Sequence, residues 1–258
     1  MSLLKKIKKI IRPQLQAPVM NLAEALAGDN VECICCGNRF ITFLPFGLVK
    51  RANAQCPACG SLERHRLHWH YMVNQTNLLR NEAILKVLHV APEEVLYNRF
   101  IGNPGIEYIP CAKMGEGYPD VYPAGTIDID ITDIHFGDHR FDVIYCSHVL
   151  EHIPDDHRAM QELLRILKPG GWALLQVPVD INRASTYEDF SITGAREREQ
   201  AFGQSDHVRV YGRDYKQRLE KAGFRVKQER YTDQFSENEI FRYGFQKGED
   251  IYVCTGPY

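Results

Sequence analysis

The sequence lacks an apolar run long enough to span a membrane, and it contains no internal repeats and no low-complexity segment. Neither sign of charge dominates, since 31 lysines and arginines stand against 33 aspartates and glutamates. This balance argues against a protein whose main function is to bind a nucleic-acid backbone, because such proteins usually carry an excess of positive charge. With 258 residues, 44% of them apolar, the chain has room for one main domain and a small extra module.

Two features place the protein in the cytoplasm. The positive charges at the start of the chain are not followed by an uninterrupted apolar core, so a secretory signal is not expected. Eight cysteines in such a chain indicate a reducing compartment, where paired cysteines are more often metal ligands than disulfides. We therefore expect a cytoplasmic protein.

Residues 1–20 are expected to form a segment of their own. Their start, MSLLKKIKKIIRPQ, predicts a short basic amphipathic helix that Pro13 closes. Residues 1–12 could lie weakly on the inner face of an anionic membrane. The alternatives are a terminal helix docked on its own protein and a frayed end.

Residues 21–82 carry two CxxCG motifs. In such a knuckle the glycine relieves the turn while two thiolates face one ion, so two knuckles supply four sulfur ligands. Residues 40–49 between the motifs suit a hairpin. The pattern predicts a zinc ribbon with one structural Zn²⁺, and Cys35 is surplus to it. The predicted metal ligands are Cys33, Cys36, Cys56 and Cys59.

A helix over residues 62–79, capped by Ser61, is expected to follow the zinc ribbon. Three histidines on it could hold a second metal ion or form an interface. We favour the interface, because no carboxylate or cysteine completes the ligand set. Arg64 and Arg66 are candidate anion contacts. The three histidines are His65, His68 and His70.

The stretch 141–178 reads as strand, loop, helix, turn and strand. Residues 141–146 and 172–177 are apolar runs typical of parallel strands buried on both faces. Asp155 and Asp156 start the helix, and the sequence from Lys168 to Gly171 ends it. Because ligands bind beyond the carboxyl ends of such strands, Ser147 and His148 should lie at the binding edge.

Residues 83–258 should form one α/β domain around this stretch. Further strands are expected at 84–90, 106–111 and 126–136, a helix at 214–221, and a closing antiparallel hairpin from 224–231 and 251–254. The connection after Pro178 has no sustained period. A long connection in a compact domain is commonly functional, and we interpret it as a substrate lid.

Three motifs carry a family resemblance. FDVI, SHVLEHIPD and LKPGGWALLQVP together resemble class I S-adenosylmethionine-dependent methyltransferases, over roughly residues 84–255. The loop HVAPE, the cysteine knuckle and the segment DHVRVYG resemble one branch of these enzymes. The resemblance implies a Rossmann-like, doubly wound methyltransferase sheet with S-adenosylmethionine as the cofactor.

The resemblance also assigns residues. Such enzymes usually have a glycine-rich loop after the first strand, whereas this chain has HVAPEE, which we expect to replace it. Glu93 could pair with the ammonium group of the cofactor, and Asp130 matches an aspartate that binds the adenine amino group. Glu116, Asp120 or water is left for the ribose. The expected cofactor-binding residues are His89, Ala91, Pro92, Glu93, Asp130, Ile131, Ser147 and His148.

Methyl transfer to a hydroxyl needs a group that removes its proton. His148 and His207 are the predicted catalytic residues, and His152 is a third candidate. The favoured function is methyl transfer to a small or carrier-linked metabolite, such as a sugar hydroxyl or a carboxyl. The alternatives are an RNA methyltransferase and, because the glycine loop is missing, a non-catalytic cofactor-binding or scaffold protein.

Overall fold

The computed structural model describes residues 22–47, 49–80, 83–115 and 121–257. These residues group into two compact units. The first unit contains the described residues up to Thr76 together with Tyr231–Glu249, and the second contains Asn77–Arg230 and the chain from Asp250 onward. An insertion near the end of the second unit therefore belongs to the first. The predicted N-terminal amphipathic helix lies outside the described residues.

The described part of the first unit contains two short hairpins, the helices α1 and α6, helical residues 22–25 and the 3₁₀ helix Tyr231–Gln234. A single hairpin was expected from the sequence, but β1 pairs with β2 and β3 pairs with β4. The helix α1 is shorter at both ends than predicted, and the insertion supplies a second helix, α6. The elements are β1 (Ala27–Glu32), β2 (Arg39–Phe40), β3 (Leu44–Phe46), β4 (Arg51–Gln55), α1 (Glu63–Gln75) and α6 (Glu237–Tyr243).

Aromatic side chains of the insertion pack against His70 of the histidine-rich helix α1. His70 accepts or donates a hydrogen bond at 2.8 Å between its Nδ1 and the Tyr231 hydroxyl, and its ring lies 5.3 Å from that of Phe235 and 5.7 Å from that of Phe245. Arg242 of α6 donates to the Asp29 carbonyl at 3.0 Å. The aromatic contacts bury apolar area that neither segment would bury alone.

The second unit is organised around a seven-stranded sheet in the order β12-β13-β9-β8-β5-β6-β7. The five strands from β9 to β7 run parallel, and β13 and β12 close the sheet as an antiparallel hairpin, which confirms the predicted fold class. The strands are β5 (Leu85–Val90), β6 (Ile106–Ala112), β7 (Ile127–Asp128), β8 (Phe141–Ser147), β9 (Leu167–Gln176), β12 (Arg225–Glu229) and β13 (Ile251–Thr255).

Helices and a two-stranded ribbon complete the second unit. The predicted lid contains the ribbon and one helix, so it is more regular than its sequence indicated. A short 3₁₀ turn, Leu150–His152, follows β8. The remaining elements are α2 (Glu94–Phe100), α3 (Asp156–Ile166), β10 (Tyr187–Glu188), α4 (Ala195–Phe202), β11 (Arg209–Val210) and α5 (Tyr215–Lys221).

The helix α3 begins as predicted, because the Asp155 side chain accepts a hydrogen bond from the Arg158 amide. Two other details differ. The sequence from Lys168 to Gly171 belongs to an irregularity at the start of β9, where the pairing jumps from Phe141↔Leu167 to Val143↔Trp172. The predicted strand over 126–136 is reduced to the two residues of β7.

None of the helices in the described ranges has the length and apolar character needed to cross a membrane.

Candidate functional site

The carboxyl ends of the central strands β5 and β8 share an uncommon backbone geometry. Ala91 follows β5 with φ 49°, and His148 follows β8 with φ 56°. The Ala91 amide is fixed by a hydrogen bond of 2.7 Å to the Cys111 carbonyl, and the His148 amide by one of 2.9 Å to the Gln176 carbonyl. The chain turns sharply at both places, although neither residue is a glycine.

Glu93 stands at the start of α2, where it is the N-cap residue. Its Oε2 lies 3.2 Å from Nε2 of His89, whose Nδ1 is 2.9 Å from the Tyr108 hydroxyl. The His89 side chain is 0% exposed, so it supports Glu93 from inside the sheet rather than facing the edge. Burial raises the pKa of Tyr108, which keeps its hydroxyl protonated. Pro92 is buried.

Asp130 lies beyond the end of β7, in a turn. Its Oδ1 accepts hydrogen bonds from the Thr132 amide at 2.9 Å and the Thr132 hydroxyl at 2.6 Å, which lower the pKa of the carboxyl. Lys113 Nζ is 3.9 Å from its other oxygen. Ile131 is buried beside it. Glu116 and Asp120, considered for the ribose, lie outside the described residues.

Two buried polar atoms lie at the ends of the paired strands β8 and β9. Ser147 Oγ and Gln176 Oε1 are both inaccessible, and neither finds a hydrogen-bond partner within the described part of the chain. Such atoms are rare in folded proteins and indicate a place where a ligand or water completes the bonding. The sequence pointed to Ser147. Gln176 was missed, although a glutamine ending an apolar strand is a detectable signal.

The three histidines proposed for catalysis meet around a carboxylate that the sequence analysis did not single out. Glu151 is 1% exposed, and its Oε1 lies 3.3 Å from Nδ1 of His148. The rings of His152 and His207 have centroids 4.7 Å apart. Ligand atoms of Glu151, His152 and His207 all lie within 4.8 Å of one another. Burial lowers the pKa of His207, which favours its neutral form.

The segment DHVRVYG holds His207 in this position. The Val208 amide donates to the Glu151 carbonyl at 2.9 Å. The buried Arg209 guanidinium donates to the carbonyls of Leu150 and Pro154 at 2.9 and 2.8 Å and to Glu188 at 2.9 Å. Multiple charge-assisted bonds from one planar group fix orientation as well as distance. The segment is therefore anchored to the turn after β8.

The four predicted metal ligands come together in the first unit. The Sγ atoms of Cys33 and Cys59 are 3.6 Å apart, those of Cys36 and Cys56 are 3.8 Å apart, and all four lie within 4.8 Å of one another. An ion bonded to four sulfurs at about 2.3 Å in a tetrahedron keeps them about 3.8 Å apart. The donor set and its spacing thus fit a tetrahedral ion. Cys35 is buried outside this group.

The predicted anion contact at Arg66 is wrong, because its guanidinium is buried and bonded to the backbone. It donates to the carbonyls of Ser61 at 2.6 Å, Tyr243 at 2.7 Å and Gly244 at 2.7 Å. Ser61 does not cap α1 either. Its hydroxyl lies 3.1 Å from Cys33 Sγ, and the cap residue is Leu62, whose amide donates to His65 Nδ1 at 3.1 Å.

The histidines of α1 take part in packing within the first unit. Within the described residues, groups with metal-ligand spacing occur at the four cysteines and at Glu151, His152 and His207 only. His65 and His68 are buried, and His70 packs against the aromatic rings of the insertion. The favoured interpretation of this helix as a packing surface agrees with these contacts.

A parallel sheet whose strand order reverses between β5 and β8, and which closes with an antiparallel hairpin, defines a Rossmann-like methyltransferase fold. The solved structure of the [4+2]-cyclase SpnF has this fold, with a TM-score of 0.51 at 14% sequence identity and 93% coverage of both chains. At this identity the likeness concerns the fold alone.

Residues 90–229, more than half of the chain, match the family described as Methyltransferase domain, and the chain belongs to that family. Family membership supports S-adenosylmethionine as its cofactor. The chain is similar to the ubiquinone/menaquinone biosynthesis C-methyltransferase UbiE of Idiomarina loihiensis, at 32% identity over 49% of this chain and 56% of the relative. It is similar to a ubiquinone biosynthesis O-methyltransferase of Paracidovorax citrulli at 33% identity over 28% and 32%. These matches span about half or less of the relatives' length.

Proposed function

We propose that the protein transfers the methyl group of S-adenosylmethionine to an oxygen atom of a small or carrier-linked metabolite, such as a sugar hydroxyl or a carboxyl. The observation that carries this proposal is the pairing of His148 with the buried Glu151 at the end of β8. A hydroxyl acceptor must lose its proton as it reacts, and an imidazole backed by a carboxylate is suited to receive it.

The residues at the end of β5 fit the amino-acid part of the cofactor. The loop after this strand turns at Ala91 without glycine, and Glu93 is held at the start of α2 by His89. A carboxylate there can pair with an ammonium group while amides at the helix start face a carboxylate. Asp130 and the backbone of Ile131 would face the adenine, since an exocyclic amine is a hydrogen-bond donor.

The buried Ser147 hydroxyl fits a ligand at the same edge, because it finds no partner within the described residues. When bound, the cofactor supplies a methyl group already activated by its sulfonium. The protein then has to align the acceptor oxygen and accept its proton. His148 is 31% exposed, so its ring can reach an acceptor while Glu151 orients it. His207 is buried and is better suited to shaping the site.

We also propose that Cys33, Cys36, Cys56 and Cys59 bind one structural Zn²⁺. The sulfur spacing fits a tetrahedral ion. Four thiolates fill all four coordination positions of such an ion, so no position is left open for catalysis. The knuckle turns support the same interpretation, because the amides of Gly37 and Gly60 donate to the carbonyls of Cys33 and Cys56 at 2.7 and 3.0 Å. Zinc would contribute directly to the stability of the first unit.

Calorimetry on two glutamate variants tests how the cofactor is held. Glu93→Gln should weaken S-adenosylmethionine by about 10- to 100-fold, because a charge-assisted bond is lost. Adenosine, which lacks the amino-acid part, should bind as tightly as to the parent. Glu94→Gln is the matched control, since Glu94 is the adjacent exposed residue at the same helix start. Equal losses for both ligands would contradict the assignment of Glu93.

Turnover of the cofactor tests the reaction itself. The parent should convert S-adenosylmethionine to S-adenosylhomocysteine when offered sugars, hydroxylated metabolites or carboxylates, and His148→Gln should lower kcat by about 10²- to 10⁴-fold at saturating cofactor. Turnover with RNA alone would favour the RNA methyltransferase. Cofactor binding without turnover on any acceptor would favour a non-catalytic cofactor-binding or scaffold protein.

A further inference from the structure

Glu151, His152 and His207 form a cluster from two distant parts of the chain. The first two belong to the turn after β8, and the third to the anchored segment before β11. One ligand atom from each lies within 4.8 Å of the others. Around an ion bonded at about 2.1 Å, neighbouring ligands are about 3.0 to 3.5 Å apart. Small side-chain rotations would therefore bring the three onto one ion.

Glu151 is the member of the cluster that most needs a partner. Both of its carboxylate oxygens are inaccessible, and neither accepts a hydrogen bond from the residues that the structure describes. His148 Nδ1 lies 3.3 Å from Oε1, which is an ion-pair distance, but this contact lacks hydrogen-bond geometry and does not reach Oε2. Burying a carboxylate is costly unless it is paired or coordinates a metal. A bound cation would remove that cost.

His152 is already oriented as a ligand. Its Nδ1 lies 3.3 Å from both the backbone carbonyl and a carboxylate oxygen of Asp206. A proton on Nδ1 is therefore directed to Asp206, and the lone pair is left on Nε2. Metal-bound histidines are typically held in this way, with the second nitrogen donating to a carboxylate or a carbonyl.

We propose that Glu151, His152 and His207 bind a divalent transition-metal ion, at a site separate from the four cysteines. Two imidazoles and one carboxylate favour such an ion over Mg²⁺ or Ca²⁺, which prefer oxygen ligands throughout. Three protein ligands leave coordination positions open. Resting on the proposed function, we assign one of them to the acceptor oxygen, whose hydroxyl proton the ion would make easier to remove.

The test is Mn²⁺ titration of the purified full-length chain, followed by the electron paramagnetic resonance signal of free Mn²⁺. Mn²⁺ suits nitrogen and oxygen ligands, so the thiolate site contributes little. The parent should bind about one Mn²⁺, and His207→Gln and Glu151→Gln should each weaken it at least about tenfold. His157→Gln, on the exposed face of the adjoining α3, should match the parent.

Asp206→Asn keeps the test informative if the variants of buried residues fail to fold. Asp206 is 65% exposed, so its replacement leaves the core intact, yet it should weaken Mn²⁺ about 10- to 100-fold through His152. Parent protein that fails to bind Mn²⁺, or four variants with equal affinity, would overturn the proposal. S-adenosylhomocysteine binding, measured in parallel, separates the two hypotheses: binding of S-adenosylhomocysteine without Mn²⁺ defeats only the metal site, and binding of Mn²⁺ without S-adenosylhomocysteine defeats only the proposed function.

Discussion

Ala91 and His148 occupy equivalent places in neighbouring strands and share a left-handed backbone. Each directly follows a central strand, with φ of 49° and 56°, and the last paired residues of the two strands are Val90, one residue before Ala91, and Cys146, two residues before His148. This conformation costs a non-glycine residue about 1–2 kcal/mol. It persists where the surrounding structure enforces it, and such residues concentrate at functional sites. The pair Ala91 and His148 therefore supports the proposal that ligands bind at this edge of the sheet.

Ala91 should tolerate glycine and reject valine. Ala91→Gly removes the left-handed strain and keeps the turn, so cofactor affinity should be unchanged. Ala91→Val places a β-branched side chain at positive φ, which should lower the free energy of unfolding by at least about 1–2 kcal/mol and weaken the cofactor. Urea unfolding and calorimetry measure the two effects. A valine variant as stable as the parent would mean that the turn relaxes without loss.

A pair of variants separates the proposed adenine contact of Asp130 from its contribution to the local turn. Asp130→Ala should weaken S-adenosylmethionine by about 1.5–3 kcal/mol, or roughly one to two decades, if the carboxylate binds adenine. Thr132→Val removes only the hydroxyl bond to Asp130 and leaves the carboxylate in place. Calorimetry should find the loss in the first variant alone. Equal losses in both would mean that Asp130 only shapes the turn.

The cysteine site should lose its metal selectively. Cys56→Ser should remove one equivalent of bound zinc relative to the parent, because a hydroxyl is a poor replacement for a thiolate. Cys35→Ser is the control, since Cys35 is equally buried but lies outside the group of four sulfurs. Metal analysis measures the bound zinc in the parent and in both variants, each prepared without chelator. The prediction is wrong if the parent contains no zinc, or if both variants lose it.

Gly244 should be irreplaceable in the first unit. A Cβ atom there would lie 2.6 Å from Arg66 Nη2 and 2.7 Å from the Phe43 ring. Gly244→Ala should therefore lower the free energy of unfolding by about 1–3 kcal/mol more than Gly248→Ala. Both glycines have positive φ, but a Cβ at Gly248 would meet nothing within 4 Å. Chemical unfolding followed by Trp69 fluorescence in a Trp172→Phe background reports on this unit. Equal effects would show that strain alone matters.

The regular sheet could be predicted from sequence because its strands are short apolar runs. The strands β5, β6, β8, β12 and β13 start and end within about two residues of the expected positions, within the usual precision of such boundaries. The long strand expected over 126–136 was wrong for a local reason. The Asp130 carboxylate accepts a hydrogen bond from the Thr132 amide. This local bond competes with the backbone hydrogen bonds that would pair this segment with a neighbouring strand.

The cluster at the end of β8 could not be predicted, because it depends on packing between distant segments. In the sequence, Glu151 cannot be distinguished from an ordinary glutamate at a helix start. In the structure, hydrogen bonds from Val208 and Arg209 to the turn after β8 bring His207 beside it. The buried Arg66 is a similar case. Its carbonyl partners at Tyr243 and Gly244 come from an insertion whose sequence carries no sign of where it packs.

The insertion also imposes an order on biosynthesis. The cysteines of the first unit lie early in the chain, but two of the carbonyls that accept hydrogen bonds from Arg66 belong to Tyr243 and Gly244. At about 5–20 residues per second, residues 77–230 occupy the ribosome for about 8 to 30 seconds between the two parts. Throughout that interval a newly made α1 exposes His70 without its aromatic neighbours. Binding of the proposed Zn²⁺ by Cys33, Cys36, Cys56 and Cys59 would order the two cysteine knuckles within that interval, because all four ligands are made before the insertion.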